Sequence, residues 1–166
     1  MDLELAAMLA NSITFVLCIL AAIWYVVPWL RRQPLATALT VLLWVHAFRY
    51  VALQIYSAQK TGFAVPDGLR DHIAYGDVAG ALLAILAIVL IRFASGIAVG
   101  VTWLFVVATV IDLGNAMAGG MREGMMAEVS GITWMILSYY VPVLWTSTVM
   151  IIWQLVTRRG EELTSG

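Results

Sequence analysis

The stretch IAYGDVAGALLAILAIVLI, residues 73–91, decides the fold class of this chain. It carries one charged residue, Asp77, in a run close to the roughly 20 apolar residues that a helix needs to cross a bilayer. Comparable apolar runs, separated by short polar connections, occupy most of the remaining chain. The sequence therefore predicts an all-α integral membrane protein with five helices, at residues 6–30, 35–56, 67–92, 96–117 and 129–157.

The composition leads to the same class of protein. Hydrophobic residues make up 63% of the 166 residues and charged residues 11%, against about 45–50% and about 25% in a typical soluble domain. A soluble fold of this length cannot bury so much apolar surface, so we expect one compact transmembrane bundle with a disordered tail at 160–166. The net charge of −1 argues against a nucleic-acid partner. The single cysteine, Cys18, cannot form an internal disulfide.

The basic residues between the helices predict the orientation, because cytoplasmic loops of membrane proteins carry an excess of Lys and Arg. One side would hold Arg31, Arg32, Arg92, Arg158 and Arg159, and the other Lys60, Arg70, Arg122 and the acidic N-terminus. The N-terminus is therefore expected outside and the C-terminus in the cytoplasm. The membrane is taken to be the bacterial inner membrane.

Polar residues on four of these helices fall at a similar depth. With a rise of about 1.5 Å per residue, Arg49 would lie about 10 Å below the outer surface, Asp112 and Asn11 about 8 Å, and Asp77 about 6 Å. An ionisable group at the centre of a membrane helix costs at least about 2.5–3.5 kcal/mol, so such groups need partners. We expect Arg49 to pair with Asp77, Asp112 or both.

The charge in this predicted layer does not balance. Two carboxylates around one guanidinium leave a negative charge, which a proton on an aspartate, a protonated His46 or a bound cation can neutralise. Alternatively, Arg49 can hold an anionic ligand while the aspartates orient it. The predicted ligand-binding residues are Arg49, His46, Asp77, Asp112, Asn115, Asn11 and Tyr50.

Small residues recur every four positions on the third and fourth predicted helices. In lipid, such residues let helix backbones approach closely, within one chain or between chains. Both aspartates lie beside these stripes and are expected to face protein rather than lipid. The stripes are Gly76, Gly80 and Ala84 on the third helix, and Gly96, Gly100, Ala108 and Ala116 on the fourth.

Other motifs point less clearly to chemistry. The segment 118–128 is rich in Gly and Met and is expected to be a loop, because Gly119, Gly120 and Gly124 should interrupt a helix. Thioethers suit Cu(I), so Met117, Met121 and Met125 form an alternative copper site, although methionine also fills gaps in apolar cores. No nucleophile motif or phosphate-binding glycine loop is present in the sequence, and no cofactor is identified.

The leading hypothesis is a membrane protein that binds or translocates a small polar ligand, an ion or a proton in a pocket in the outer half of the bilayer. One alternative is an accessory subunit of a larger membrane complex, in which the polar layer only fixes helix positions. Another is a small membrane enzyme that acts on a lipid-like substrate, with His46 or an aspartate as general acid–base. Membrane lipids and a homo-oligomeric or hetero-oligomeric assembly are the expected partners.

Overall fold

The computed structural model describes residues 2–129, 131–161 and 163. Within these residues the chain is helical, without strands, and five of the helices are long and apolar enough to cross a membrane. A sixth, short helix lies before the last of them. The helices are α1 (Leu3–Leu30), α2 (Leu35–Lys60), α3 (Asp67–Arg92), α4 (Ala98–Arg122), α5 (Met125–Glu128) and α6 (Gly131–Thr157).

The predicted spans agree with these helices to within several residues. Most of the predicted tail, residue 162 and residues 164–166, lies outside the described residues, as does Ser130 near the predicted start of the fifth span. The connection between α3 and α4 is the turn 93–97, where Ala94 takes a left-handed backbone conformation with φ of 49°. Asp67 is the first residue of α3 rather than its N-cap, which is Pro66.

The predicted loop at 118–128 is mostly helical, and that prediction was wrong. Helix α4 continues through Gly119 and Gly120 and ends at Arg122, and only Gly124, with φ of 63°, marks a break. Both helical glycines have close neighbours, since a Cβ on Gly119 would lie 2.6 Å from Leu69 and one on Gly120 would lie 3.2 Å from the Met125 sulfur. Packing thus compensates for the poor helix propensity of glycine.

Two helices contain a wider π-helical turn just before a proline. The turn in α1 spans Ala22–Val26 and precedes Pro28, and the turn in α6 spans Ile136–Tyr140 and precedes Pro142. Proline lacks an N–H group and its ring clashes with the carbonyl group four residues earlier, so the helix widens there. The irregularity before Pro142 takes the form of a π turn.

Helices α2, α3, α4 and α6 pack around the core, and α1 lies outside them against α5 and α6. The buried apolar residues form two clusters at opposite ends of the bundle. The cluster at the arginine-rich end, the end that bears Arg31, Arg92 and Arg158, includes Leu39, Leu43, Ala84, Ile91, Phe105 and Ile151. The cluster at the opposite end includes Ala7, Ile55, Phe63, Val65, Ala74, Met125 and Val129.

Candidate functional site

The polar residues of interest lie between these two apolar clusters, where α2 changes its winding. Residues Phe48–Gln54 form a 3₁₀ helix, in which side chains three residues apart are eclipsed. The buried positions of this region follow that period: His46, Arg49, Ala52 and Ile55. The tighter winding turns Tyr50 outward, and its side chain is 54% exposed.

Arg49 joins three helices through its guanidinium group and is completely buried. Its Nε donates to Asp77 Oδ1 on α3 at 2.7 Å, and its Nη1 donates to Thr109 Oγ1 on α4 at 3.1 Å. Its Nη2 donates to Asp112 Oδ2, also on α4. The ion pairing expected from the sequence is therefore present with both aspartates.

Two glycines of α3 make room for this network. A Cβ atom on Gly80 would lie 2.5 Å from Nη1 and 2.8 Å from Cζ of Arg49, and a Cβ on Gly76 would overlap the Asp112 carboxylate. The small-residue stripe of α3 thus accommodates charged side chains from α2 and α4. The stripe of α4 behaves differently, since Gly96 and Gly100 are exposed, and a Cβ added to either would have no neighbour within 4 Å among the described residues.

The two carboxylates differ in their surroundings. Asp77 also lines a cavity of about 430 Å³, which Asp112 does not line. Each carboxylate accepts from Arg49 through one oxygen and has no described donor at the other, and each side chain is 15% exposed. Asp77 therefore differs from Asp112 in its position next to the cavity.

All six helices contribute to this cavity. Its mouth is at the end opposite the arginine-rich end, where Glu4, Met121 and Gly124 are exposed. Arg49 and Asp77 lie deeper, and apolar residues form most of the wall. Five methionines line the cavity: Met8, Met117, Met121, Met125 and Met126. Flexible thioether side chains suit an apolar ligand of variable shape.

Most other polar groups along the cavity already bond to neighbouring helices. Asn11 Nδ2 donates to the Leu137 carbonyl at 2.7 Å, and Tyr140 Oη donates to the Val45 carbonyl at 2.6 Å. Gln54 Nε2 donates to Thr133 Oγ1 at 3.1 Å. These bonds fix the walls of the cavity. The charged residues that line the cavity, among those that the structure describes, are Glu4, Arg49 and Asp77. Glu4 is exposed and Arg49 has no acceptor, so Asp77 is the half-buried carboxylate of the wall.

His46 lies apart from the cavity. Its ring is completely buried and packs edge-on against Phe105, with 4.9 Å between ring centroids. Its Nε2 is 2.8 Å from Ser147 Oγ, which itself donates to the Leu144 carbonyl, so Nε2–H is the donor to Ser147. His46 therefore joins α2 to α6, and the structure does not bring it to the cavity.

The remaining predicted site residues are distributed as follows. Asn11 lines the cavity, whereas Asn115 is exposed on α4 and is not brought into the cluster. The three methionines of the copper alternative all line the cavity, but Met117 Sδ accepts a hydrogen bond from Trp145 Nε1 at 3.1 Å and Met121 is 73% exposed. Among the described residues, no group of three His, Cys, Asp or Glu side chains can hold a metal ion.

Two features of the site were not predicted: Thr109 as a partner of Arg49, and the bond between Gln54 and Thr133. Thr109 precedes Asp112 by three residues, so the same face of α4 carries both partners of Arg49. That three-residue spacing could have been used to predict Thr109. The pairing of Gln54 with Thr133 was not predictable, because both side chains are uncharged and neither one requires a particular partner.

The fold and the buried network define a class: an all-helical bundle with five candidate membrane-spanning helices and an Arg–Asp–Asp cluster beside a methionine-lined cavity. The chain belongs to the family described as Domain of unknown function (DUF8737), whose model matches residues 6–156. Searches of curated proteins and of solved structures found no match. The family description names no activity.

Proposed function

We propose that this protein spans a membrane and binds a small ligand in the cavity, with Asp77 as the residue that receives the ligand. The ligand has an apolar body and one polar group that is cationic or donates a hydrogen bond. In the predicted orientation the mouth of the cavity opens to the outside of the cell. The observation that carries the proposal is a half-buried carboxylate, Asp77, whose Oδ2 has no described donor, beside a cavity with a mostly apolar wall.

The charges of the network favour a cationic or donor group. Arg49 supplies one positive charge, and Asp77 and Asp112 supply two negative charges when both are ionised. Three of the five guanidinium N–H groups donate to Asp77, Thr109 and Asp112, and the group is completely buried, which favours a role in positioning Asp77 over a role in holding an anion. A ligand cation at Oδ2 would neutralise the remaining negative charge, which is costly to bury alone.

The cavity wall favours a ligand that is apolar elsewhere. Its polar wall groups Asn11, Gln54 and Tyr140 are bonded to other helices, and the methionines add apolar, adaptable surface. Binding sites commonly combine such a wall with a few polar groups that fix the ligand orientation. Ion or proton translocation alone would not need a wall of this kind.

Three compounds of similar shape and different charge test the proposal. The purified protein in detergent is titrated with 2-phenylethylamine, 2-phenylethanol and phenylacetate, which share a ring and differ in charge. We expect the amine to raise the melting temperature most and phenylacetate to leave it unchanged. Asp77→Asn should abolish the effect of the amine, whereas Asp67→Asn, which removes an exposed carboxylate on the same helix, should keep it.

Stabilisation by phenylacetate equal to that by the amine would contradict the proposal. So would full stabilisation of Asp77→Asn by the amine. Membrane insertion is the other part of the proposal. Resistance of the full chain to alkaline extraction from membranes tests that part separately.

A second candidate function is that of a subunit in a larger membrane complex. It is favoured by the exposed small-residue face of α4, where Gly100 and Gly114 have no neighbour within 4 Å of an added Cβ among the described residues. Co-purification of larger subunits in mild detergent would support it. A membrane enzyme with His46 as general acid–base is not favoured, because that side chain has no exposed surface.

A further inference from the structure

A second concave surface lies between α1 and α6, toward the arginine-rich end. This groove has a volume of about 730 Å³, and its walls are almost entirely apolar. Its walls include Phe15, Ala22 and Val27 on α1 and Val149 and Trp153 on α6. One charged side chain lines the groove, that of Arg31 at the end of α1.

Arg31 is placed above the groove by an aromatic ring. Its Cζ lies 5.3 Å from the centroid of the Trp153 ring, a geometry in which the ring face attracts the cation. No carboxylate of the described residues forms an ion pair with Arg31, whereas the neighbouring Arg158 is paired with Glu161 at 2.5 Å. Arg31 therefore has a guanidinium group available for an anion from outside the chain.

The length and position of the groove match a lipid. Phe15 and Arg31 are sixteen residues apart, which corresponds to about 24 Å along a helix. One leaflet of the hydrocarbon core is about 15 Å thick, half of the whole core. The groove is therefore longer than one leaflet is thick, and an acyl chain can lie entirely within it while the lipid headgroup stays level with Arg31 and Trp153. Tryptophan is enriched at that level of a membrane.

We propose that the groove between α1 and α6 binds an anionic phospholipid, with an acyl chain along the apolar wall and the phosphate on Arg31. Guanidinium and phosphate match in geometry and charge and form paired hydrogen bonds. The proposal rests on the membrane insertion included in the proposed function, but it does not depend on the ligand of the cavity. In the predicted orientation the lipid belongs to the cytoplasmic leaflet.

Retention of lipid by the purified protein tests this site. The full chain is reconstituted with equal amounts of phosphatidylglycerol and phosphatidylcholine that carry identical acyl chains. The lipids kept after detergent exchange are counted by native mass spectrometry. We expect wild type to retain phosphatidylglycerol over phosphatidylcholine by about fivefold, the factor typical of one basic residue at an anionic surface.

Three variants distinguish a specific lipid site from a general attraction between basic residues and anionic lipids. Arg31→Gln should reduce the preference to near one. Arg32→Gln, which removes the same charge from the adjacent exposed residue outside the groove, should leave it unchanged. Val149→Trp should lower the retention of both lipids by filling the groove, because Val149 is 60% exposed there and the larger ring does not enter the core.

Equal retention of both lipids by wild type would overturn the proposal, and so would equal losses of preference in Arg31→Gln and Arg32→Gln. A dimer without retained lipid would show that a second copy covers the groove, which also overturns it. Amine binding in the cavity should be the same in Arg31→Gln as in wild type, so a failure of the lipid site is distinguishable from a failure of the cavity. Melting temperatures establish that each variant is folded.

Discussion

Gly80 of α3 lies directly against the guanidinium group of Arg49, and a Cβ atom at position 80 would stand 2.5 Å from Nη1. The atom that would have to move is part of a completely buried group with bonds to α3 and α4. The ion network and the close approach of α2 to α3 therefore depend on each other. Gly80 therefore does more than let two helix backbones approach, because it also leaves space for the guanidinium group of Arg49.

Substitution of Gly80 by alanine should destabilise the protein. The added methyl group displaces Arg49 from its partners, and overpacking of a dense interior costs about 1–3 kcal/mol. Unfolding of the purified protein by denaturant, followed by tryptophan fluorescence, measures the change. Gly100→Ala is the matched control, since a methyl group there meets open space within the described structure and should raise stability by at most about 1 kcal/mol through better helix propensity. Equal stability of both variants would contradict this account of Gly80.

Removal of the Arg49 charge should be more damaging than removal of any exposed arginine. Arg49→Met leaves Asp77 and Asp112 buried without a counter-charge, a situation that costs about 3–5 kcal/mol. Arg122→Met, at the exposed end of α4, should cost less than about 0.5 kcal/mol. Adding Asp77→Asn and Asp112→Asn to Arg49→Met should recover much of the loss, as the same unfolding measurement would reveal. Failure of that recovery would mean that the arginine acts through packing alone.

Loss of the hydroxyl group of Ser147 should weaken the protein without affecting the cavity. In Ser147→Ala the Nε2–H of His46 loses its closest acceptor, and a buried unsatisfied donor costs about 1–3 kcal/mol. Thr157→Ala, where the exposed hydroxyl bonds only to its own helix, is the control and should change stability by less. Amine binding should stay at the wild-type level in both variants. A large loss of binding in Ser147→Ala would mean that His46 contributes to the ligand site after all.

The sequence was sufficient to predict the five long helices and the ion pairing of Arg49, although not the short helix α5. The length of the apolar runs places Arg49, Asp77 and Asp112 inside the membrane, and the cost of isolated charges there predicts that Arg49 pairs with the aspartates. Depth along a helix follows from the number of residues, because the rise per residue is nearly constant. The direction in which a side chain points around the helix is more sensitive, since it depends on the local winding.

That sensitivity explains where the site prediction departs from the structure. Tyr50 follows His46 by four residues and would share its face in a regular α-helix, but the 3₁₀ turn at 48–54 removes it from that face. Asn115 has a suitable depth but points outward on α4. The cavity itself was not predictable in detail, because its walls come from residues of all six helices, from Glu4 to Leu144.

In the proposed function Asp77, and not Asp112, receives the charged group of the ligand. Isothermal titration calorimetry of 2-phenylethylamine and 2-phenylethanol against wild type, Asp77→Asn and Asp112→Asn distinguishes the two carboxylates. A charge-assisted hydrogen bond is worth about 1.5–3 kcal/mol, so wild type should prefer the amine by about 10-fold or more. We predict that the preference disappears in Asp77→Asn and persists in Asp112→Asn. An unchanged preference in Asp77→Asn would contradict the account.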